Sequence, residues 1–186
     1  MTFGGMARLL QVSNLSPSKR CEDSIQALGL LCRKGYDATL TVDGAGSHTY
    51  LDDVLAECNV RNKVFFSHVS TDAALRWLYL DSDIFVFPCP ITWGLVVAEA
   101  MMLGKPVVVT DGCGIAEVIR DGETGLIFKN TDWRDMALKI EALILDERLR
   151  RQIGVAAQEY VRKNLSWENY TIGMERYFRT VVRLHC

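Results

Sequence analysis

Short apolar segments alternate with helical segments along this 186-residue chain, and this alternation limits the fold most. The predicted strands are Ala7–Val12, Ala38–Val42, Lys63–Phe66, Ile84–Phe87, Val107–Thr110 and Leu126–Phe128. Ile84–Phe87 is apolar at every position, which is typical of a parallel strand covered on both faces. The sequence therefore predicts an α/β fold, a Rossmann-like three-layer domain whose parallel sheet of about six strands carries helices on both faces.

Helical patterns fill the intervals between the strands. The predicted helices are Glu22–Arg33, Tyr50–Cys58, Asp72–Tyr79, Gly94–Leu103, Ile115–Ile119, Trp133–Leu145, Arg148–Asn164 and Trp167–Val182. Thr71 is the expected N-cap of the third helix. No repeat or linker divides the chain, so we expect residues 1–186 to form a single domain. The first strand begins almost at Met1, and we therefore expect no other half of an enzyme upstream in this chain.

Composition and charge exclude several classes of function. The net charge of −2, with scattered basic residues, gives no surface for nucleic acid. The six cysteines form no CxxC pair, which is typical of reduced thiols in a cytoplasmic protein. His48, His68 and His185 lack metal-ligand spacing, so no metal site is predicted. No signal peptide or spanning segment is visible, which leaves only a peripheral association with a membrane open.

Nucleotide-binding and hydrolase motifs would lie in the loops that follow the strands, since in parallel sheets ligands bind at the carboxyl ends of the strands. Gly44-x-Gly46 follows a strand, but Thr49 stands where a dinucleotide fingerprint has its third glycine, so a simple turn is the better interpretation. The chain contains neither GxxxxGK[ST] nor GxSxG. An unrelated Rossmann-like enzyme is therefore the least favoured hypothesis.

The stretch Val86–Thr110 carries the most chemistry. It predicts a strand, a Pro-rich loop, a helix that opens at Gly94, and a second strand. The start of such a helix offers free N–H groups and a positive dipole end, which favour an anion such as a phosphate. Glu99 is the one acid of this helix, and burying it without a partner would be costly. We expect the helix start and Glu99 to lie at the mouth of one crevice.

This stretch resembles the signature of retaining family-four glycosyltransferases of GT-B fold. The matching residues are Gly94-Leu95, Glu99-Ala100-Met101 and Gly104-Lys105-Pro106, followed by Glu117-Val118-Ile119 and Thr124-Gly125-Leu126. Upstream, Leu15-Ser16-Pro17-Ser18-Lys19 resembles the first nucleotide-sugar loop of that family. Asp81–Pro88 and Leu165-Ser166-Trp167-Glu168 match two further family segments. The resemblance covers nearly the whole chain.

The resemblance implies the C-terminal half of a GT-B enzyme, a domain that binds a sugar donor carried on UDP or GDP. Glu99 would bind the ribose hydroxyls, since a carboxylate accepts two hydrogen bonds from a diol. The backbone at Gly94 and Leu95 would hold the distal phosphate, and Lys19 would bind the diphosphate. Further donor-binding residues are then expected in the same two loops: Asn14, Thr92 and Trp93. The nucleotide sugar is the substrate, and no metal or cofactor is expected.

Three residues depart from the family pattern. Ile91 replaces the first Glu, which in the family contacts the transferred sugar, and its alternative role is packing at the loop base. Asn14 replaces an Arg that binds the diphosphate, and Cys113 replaces the first glycine of a Gly-Gly loop. The first two changes remove charged contacts from the reaction. They leave open a second hypothesis, a non-catalytic domain that binds a sugar nucleotide or a partner protein.

The resemblance further implies a missing partner. GT-B enzymes carry the acceptor site and a catalytic side chain in a separate N-terminal domain, so no catalytic residue is assigned in this chain. We expect this polypeptide alone to bind donor at best, and to retain the anomeric configuration when joined to an acceptor domain. The last helix would then leave a face partly uncovered, at Arg179, Val181, Val182 and Leu184.

Overall fold

Six parallel strands form one sheet in the computed structural model of the chain. The structure describes residues 5–184, without the side chains of Trp167 and of 180–184. The strands are β1 (Ala7–Val12), β2 (Ala38–Asp43), β3 (Val64–Ser67), β4 (Ile84–Phe87), β5 (Val107–Thr110) and β6 (Leu126–Phe128). Each predicted strand is confirmed to within one residue at either end.

The order of the strands creates a crevice. The sheet runs β3-β2-β1-β4-β5-β6, and all five neighbouring pairs are parallel. Chain order reverses between β1 and β4, where Leu9 pairs with Ile84. Connections leave this point in opposite directions, so the loops after β1 and β4 diverge and open a space at the carboxyl edge.

Within the described residues 5–184, seven α-helices accompany the sheet. They are α1 (Cys21–Arg33), α2 (Asp52–Glu57), α3 (Asp72–Asp81), α4 (Leu95–Met102), α5 (Trp133–Leu145), α6 (Glu147–Asn164) and α7 (Trp167–Leu184). One buried apolar cluster joins the sheet to α1, α2 and α5 through residues such as Leu28 and Ile140. A second joins it to α3, α4 and α6 through Tyr79 and Met101. Two separate cores confirm the predicted three layers.

Local backbone geometry moves several predicted helix ends. The segment predicted as Tyr50–Cys58 is a 3-10 turn, Thr49–Leu51, followed by the single short helix α2. The segment predicted as Ile115–Ile119 is a 3-10 turn at Gly114–Glu117. Thr71 caps α3 as expected, since its hydroxyl accepts the N–H of Ala74.

The last helix, α7, exposes apolar side chains. Tyr170, Tyr177 and Phe178 are exposed, and their spacing places them on one face of the helix. Arg179 is exposed as predicted, whereas the side chains of Val181, Val182 and Leu184 lie outside the described set. Within residues 5–184, no helix is both long and apolar enough to cross a membrane.

Candidate functional site

A cavity of about 430 Å³ occupies the crevice between β1 and β4. Its walls come from the carboxyl ends of β1, β2 and β4 and from the start of α4. The lining residues are Val12, Ser13, Asn14, Lys19, Asp43, Gly44, Phe87, Thr92, Trp93, Gly94, Leu95 and Val96. Six of the seven predicted donor-binding residues therefore meet in one place: Asn14, Lys19, Thr92, Trp93, Gly94 and Leu95.

The start of α4 presents open backbone donors to this cavity. Gly94 precedes the helix with φ of 91°, a left-handed conformation that glycine adopts readily, so α4 begins at Leu95 and not at the predicted Gly94. No side chain caps the helix, and the N–H groups of Val97 and Ala98 donate to the Gly94 carbonyl. Among the described residues no acceptor reaches the N–H of Leu95 or Val96. Two backbone donors and the positive end of the dipole are thus available to an anion.

Cys113 anchors the loop that leads into α4. Its thiol donates to the carbonyls of Thr92 (3.2 Å) and Trp93 (3.4 Å). The N–H groups of Gly114 and Ile115 donate to the same two carbonyls, at 3.1 and 2.7 Å. Burial raises the pKa of the Cys113 thiol, which keeps it protonated and able to donate. Cys113 has an extended backbone, so this departure from the family glycine imposes no left-handed strain.

Lys19 supplies a positive charge to the same cavity. It ends a 3-10 turn, Pro17–Lys19, in the loop after β1. No carboxylate of the described residues lies within ion-pair distance of its ammonium group. The thiol of Cys89 donates to the Ser18 carbonyl at 3.7 Å and so links this loop to the loop after β4. A lysine without an ion pair on a tethered loop can bind phosphate oxygens.

Glu99 lies in a neighbouring cavity of about 530 Å³, between α3, α4 and Val161. Leu95 lines both cavities, so the single crevice of the sequence prediction is two adjoining spaces. The hydroxyl of Tyr79 donates to Glu99 Oε2 at 2.9 Å. Burial, and then the Glu99 charge, raise the pKa of Tyr79, so this donor stays protonated. Among the described residues no side chain or backbone N–H donates to Glu99 Oε1.

Asp43 is a site residue that sequence reasoning missed. The local pattern indicates only the start of a turn there, yet Asp43 is 4% exposed and lines the same cavity as Lys19. Its Oδ1 accepts the Ser67 hydroxyl at 2.8 Å and the Val69 N–H at 3.0 Å. Its position directly after a predicted strand was the signal, since that places it at the carboxyl edge of the sheet.

Ile91 does not pack at the base of its loop, so that expectation is wrong. The side chain is 65% exposed, because the loop is anchored through the carbonyls of Thr92 and Trp93 and leaves Ile91 outside. No carboxylate therefore stands where the resembling family has its first Glu.

The described part of the chain contains neither a candidate metal site nor a disulfide bond. No group of three or more His, Cys, Asp or Glu side chains is arranged to hold a metal ion there. The five described cysteines are free thiols. One histidine and one cysteine of the sequence, His185 and Cys186, lie outside the described residues.

Comparisons with known proteins give the site a context. A sequence profile described as glycosyl transferases group 1 matches residues 3–160. The capsular polysaccharide biosynthesis glycosyltransferase CapM of Staphylococcus aureus is 31% identical over 176 residues, which are 92% of this chain and 46% of CapM. N-acetyl-alpha-D-glucosaminyl L-malate synthase of Bacillus anthracis is 29% identical over 177 residues, 94% of this chain and 46% of that protein. The chain thus spans about half the length of these relatives.

Solved structures share the fold. The C-terminal domain of the group 1 glycosyl transferase LpcC of Francisella tularensis superposes with a TM-score of 0.80 at 21% identity, covering 87% of each chain. HepE of Anabaena, in complex with UDP-glucose, gives 0.81 at 23% identity and covers 94% of this chain and 50% of HepE. Both likenesses confirm the predicted half of a GT-B fold. The profile match over most of the chain and the 31% identity to CapM show that this chain belongs to the group 1 glycosyl transferase family.

Proposed function

We propose that this chain is the donor-binding half of a glycosyltransferase and that it binds a nucleoside diphosphate sugar. One observation carries the proposal: Lys19 and the uncapped start of α4 face one cavity at the point where strand order reverses. A diphosphate placed there would receive charge-assisted hydrogen bonds from both walls. Membership in the family and the UDP-glucose bound to HepE support the same ligand class.

The two adjoining cavities suggest which part of the nucleotide each of them holds. The diphosphate lies against Lys19 and the N–H groups of Leu95 and Val96, while the ribose reaches past Leu95 to Glu99. Glu99 Oε1 then accepts from the diol, and Tyr79 holds the other oxygen in place. Asn14, Thr92 and Trp93 border the diphosphate. Because Lys19 and the helix dipole supply positive charge to the leaving diphosphate, no metal or cofactor is invoked.

Transfer itself requires an acceptor domain in addition to this chain. We propose that transfer retains the anomeric configuration, as the resemblance to family-four enzymes implies. The exposed face of α7, formed by Tyr170, Tyr177 and Phe178, is where we place contact with that domain. Exposed aromatic side chains on one helix face are typical of a surface that another domain covers.

The proposal is tested by calorimetric titration of the 186-residue chain with UDP, GDP, ADP and their common sugar conjugates. We expect one base to bind and Glu99→Ala to weaken it by roughly tenfold or more, because the diol loses a charged acceptor. Lys19→Ala should weaken nucleoside diphosphates but leave the nucleoside unaffected. Lys129→Ala, on an exposed lysine outside both cavities, is the matched control. Absence of binding by a folded wild-type chain would contradict the proposal.

A second candidate is a non-catalytic domain that binds a sugar nucleotide or a partner. Two observations favour it: exposed Ile91 offers no hydrogen bond to a sugar, and Asn14 adds no charge to the cavity. The test restores both groups as Ile91→Glu with Asn14→Arg in the presence of an acceptor half. A gain in turnover indicates a site that has lost catalytic contacts. An inactive double variant that still binds nucleotide supports the non-catalytic role.

A further inference from the structure

Asp43 is a buried carboxylate on the wall of the candidate site, and the proposed donor contacts leave it without a role. Its side chain lines the cavity while the residue as a whole is only 4% exposed. Oδ1 is occupied by the Ser67 hydroxyl and the Val69 N–H. Among the described residues no donor reaches Oδ2, and no basic side chain pairs with Asp43. Oδ2 is not among the buried side-chain atoms that lack a partner, so it keeps access to the cavity, where a bound ligand can reach it.

The backbone around Asp43 holds the carboxylate in this position. Asp43 pairs with Val12 at the end of β1, and the N–H of Gly44 donates to the Ser67 carbonyl at 2.9 Å. Gly44 passes so close to the β1 loop that a Cβ there would lie 2.1 Å from the Ser13 carbonyl oxygen. Asp43 is therefore pinned between two neighbouring strands and cannot easily swing away from the cavity.

The charge of Asp43 restricts what can lie against it. A carboxylate only accepts hydrogen bonds, and it repels phosphate oxygens. Lys19 lines the same cavity without pairing to Asp43, so it does not neutralise that carboxylate directly. The group of the ligand nearest Oδ2 must therefore carry an N–H or an O–H.

We infer that Asp43 is a ligand-reading residue whose Oδ2 accepts a hydrogen bond from an N–H or O–H group of the bound nucleoside diphosphate sugar. This inference rests on the proposed function, since it assigns a second carboxylate contact within the same site. The donor group belongs to the nucleobase edge, the ribose or the hexose. Asp43 also orders the Ser67–Val69 backbone through Oδ1, so one side chain couples that loop to the ligand.

The variant Asp43→Asn separates the two oxygens. Asparagine can still accept the Ser67 hydroxyl and the Val69 N–H on its carbonyl oxygen, while the cavity side becomes an NH₂ donor. We expect the affinity for the best-binding probe among UDP-glucose and GDP-mannose to fall by about tenfold or more, because an acceptor has become a donor. The control Ser67→Ala removes one loop contact and leaves Oδ2 intact, so its affinity should stay within about threefold of wild type.

Chemically altered ligands then identify the group that donates to Asp43, through the difference in affinity between wild type and Asp43→Asn. If that difference disappears when the hexose is removed from the ligand, the donating group belongs to the sugar. If the difference disappears when a ring nitrogen of the base is methylated, the donating group belongs to the base. If it disappears in the 2′-deoxy form of the same nucleoside diphosphate, the donating group belongs to the ribose. In wild type, one of these three changes should itself cost about tenfold in affinity, a readout that does not depend on Asp43→Asn folding.

Three results would overturn the inference. In the first, Asp43→Asn binds as tightly as wild type or more tightly, while Glu99→Ala and Lys19→Ala still weaken binding. This result would contradict the role of Asp43 and still support the donor site. Equal losses in Asp43→Asn and Ser67→Ala reduce Asp43 to a loop anchor. Failure of wild type to bind any probe overturns the proposed function, and this inference with it.

Discussion

Gly94 shows how much of the candidate site depends on one residue. Its φ of 91° turns the chain into α4, and a Cβ there would lie 2.9 Å from Cys113 Sγ and 3.1 Å from Ile115 Cγ2. Leu95 and Val96 follow this turn directly and line the cavity, and among the described residues their N–H groups have no acceptor. Glycine is required here twice, for its backbone conformation and for its lack of a side chain.

Gly94→Ala should lower stability and weaken nucleotide binding together. The left-handed backbone costs alanine about 1 kcal/mol, and the contact with buried Cys113 adds a similar amount. Urea unfolding measures the stability, and titration with UDP and GDP measures the binding. Gly35→Ala is the matched control, since Gly35 has φ of 89° and an added Cβ there would meet no atom within 4 Å. Equal losses of stability in the two variants, with binding unchanged in both, would contradict this account.

Between elements, Glu141 joins α5 to the end of α1. Its carboxylate accepts Lys34 Nζ at 2.5 Å and the Tyr36 hydroxyl at 2.9 Å. The hydrogen bond from Lys34, followed by that from Tyr36, lowers the pKa of Glu141 despite the opposing effect of partial burial. A carboxyl group whose pKa is lower in the folded state stabilises the fold above its unfolded pKa. That contribution is lost as the pH falls through the folded pKa.

Glu141→Gln should therefore destabilise the chain at neutral pH and have little effect in acid. Because Lys34 is partly exposed, we expect less than about 1 kcal/mol at pH 7. The difference should shrink as the pH falls below about 4, near and below the ordinary pKa of Glu. Urea unfolding across this pH range tests the prediction. Glu123→Gln, in a pair with Arg120 that is exposed on both sides, is the control and should change little. A difference that grows in acid would have the wrong sign.

At the scale of the whole molecule, the exposed face of α7 gathers three large aromatic side chains on one surface of the described chain. Tyr177 and Phe178 contact each other edge-to-face at 5.8 Å between ring centroids, and both are exposed. In the proposed enzyme an acceptor domain covers this face. In the isolated chain the same side chains favour association between copies.

Replacing Tyr177 and Phe178 by Ser should reduce self-association of the isolated chain without lowering its stability. Sedimentation velocity at rising concentration measures the association, and thermal unfolding measures the stability. Leu138→Ser changes an exposed apolar residue on α5 and should leave association unchanged. A marked loss of thermal stability in the α7 variant would show that this face is already packed.

The sequence by itself determined the class of fold and the loops that carry the site. Continuous apolar runs such as Ile84–Phe87 can only be covered on both faces, so the three layers followed from local pattern alone. The resemblance to a known family singled out Asn14 and Lys19, and the helix start singled out Gly94; residues after parallel strands share one edge of the sheet, which explains why the three meet.

Only the tertiary structure decided which of the two cavities each of these residues lines and which other residues line the same cavities. It placed Leu95 on both the cavity of Lys19 and the cavity of Glu99, paired Tyr79 with Glu99, and buried Asp43 against the cavity of Lys19. These contacts join segments that are far apart in the chain. The spacing of residues indicates whether a segment is a helix or a strand and which of its faces is buried, but it does not indicate which distant segments come into contact. The same reason explains Ile91, whose exposure is set by hydrogen bonds from the distant loop at Cys113.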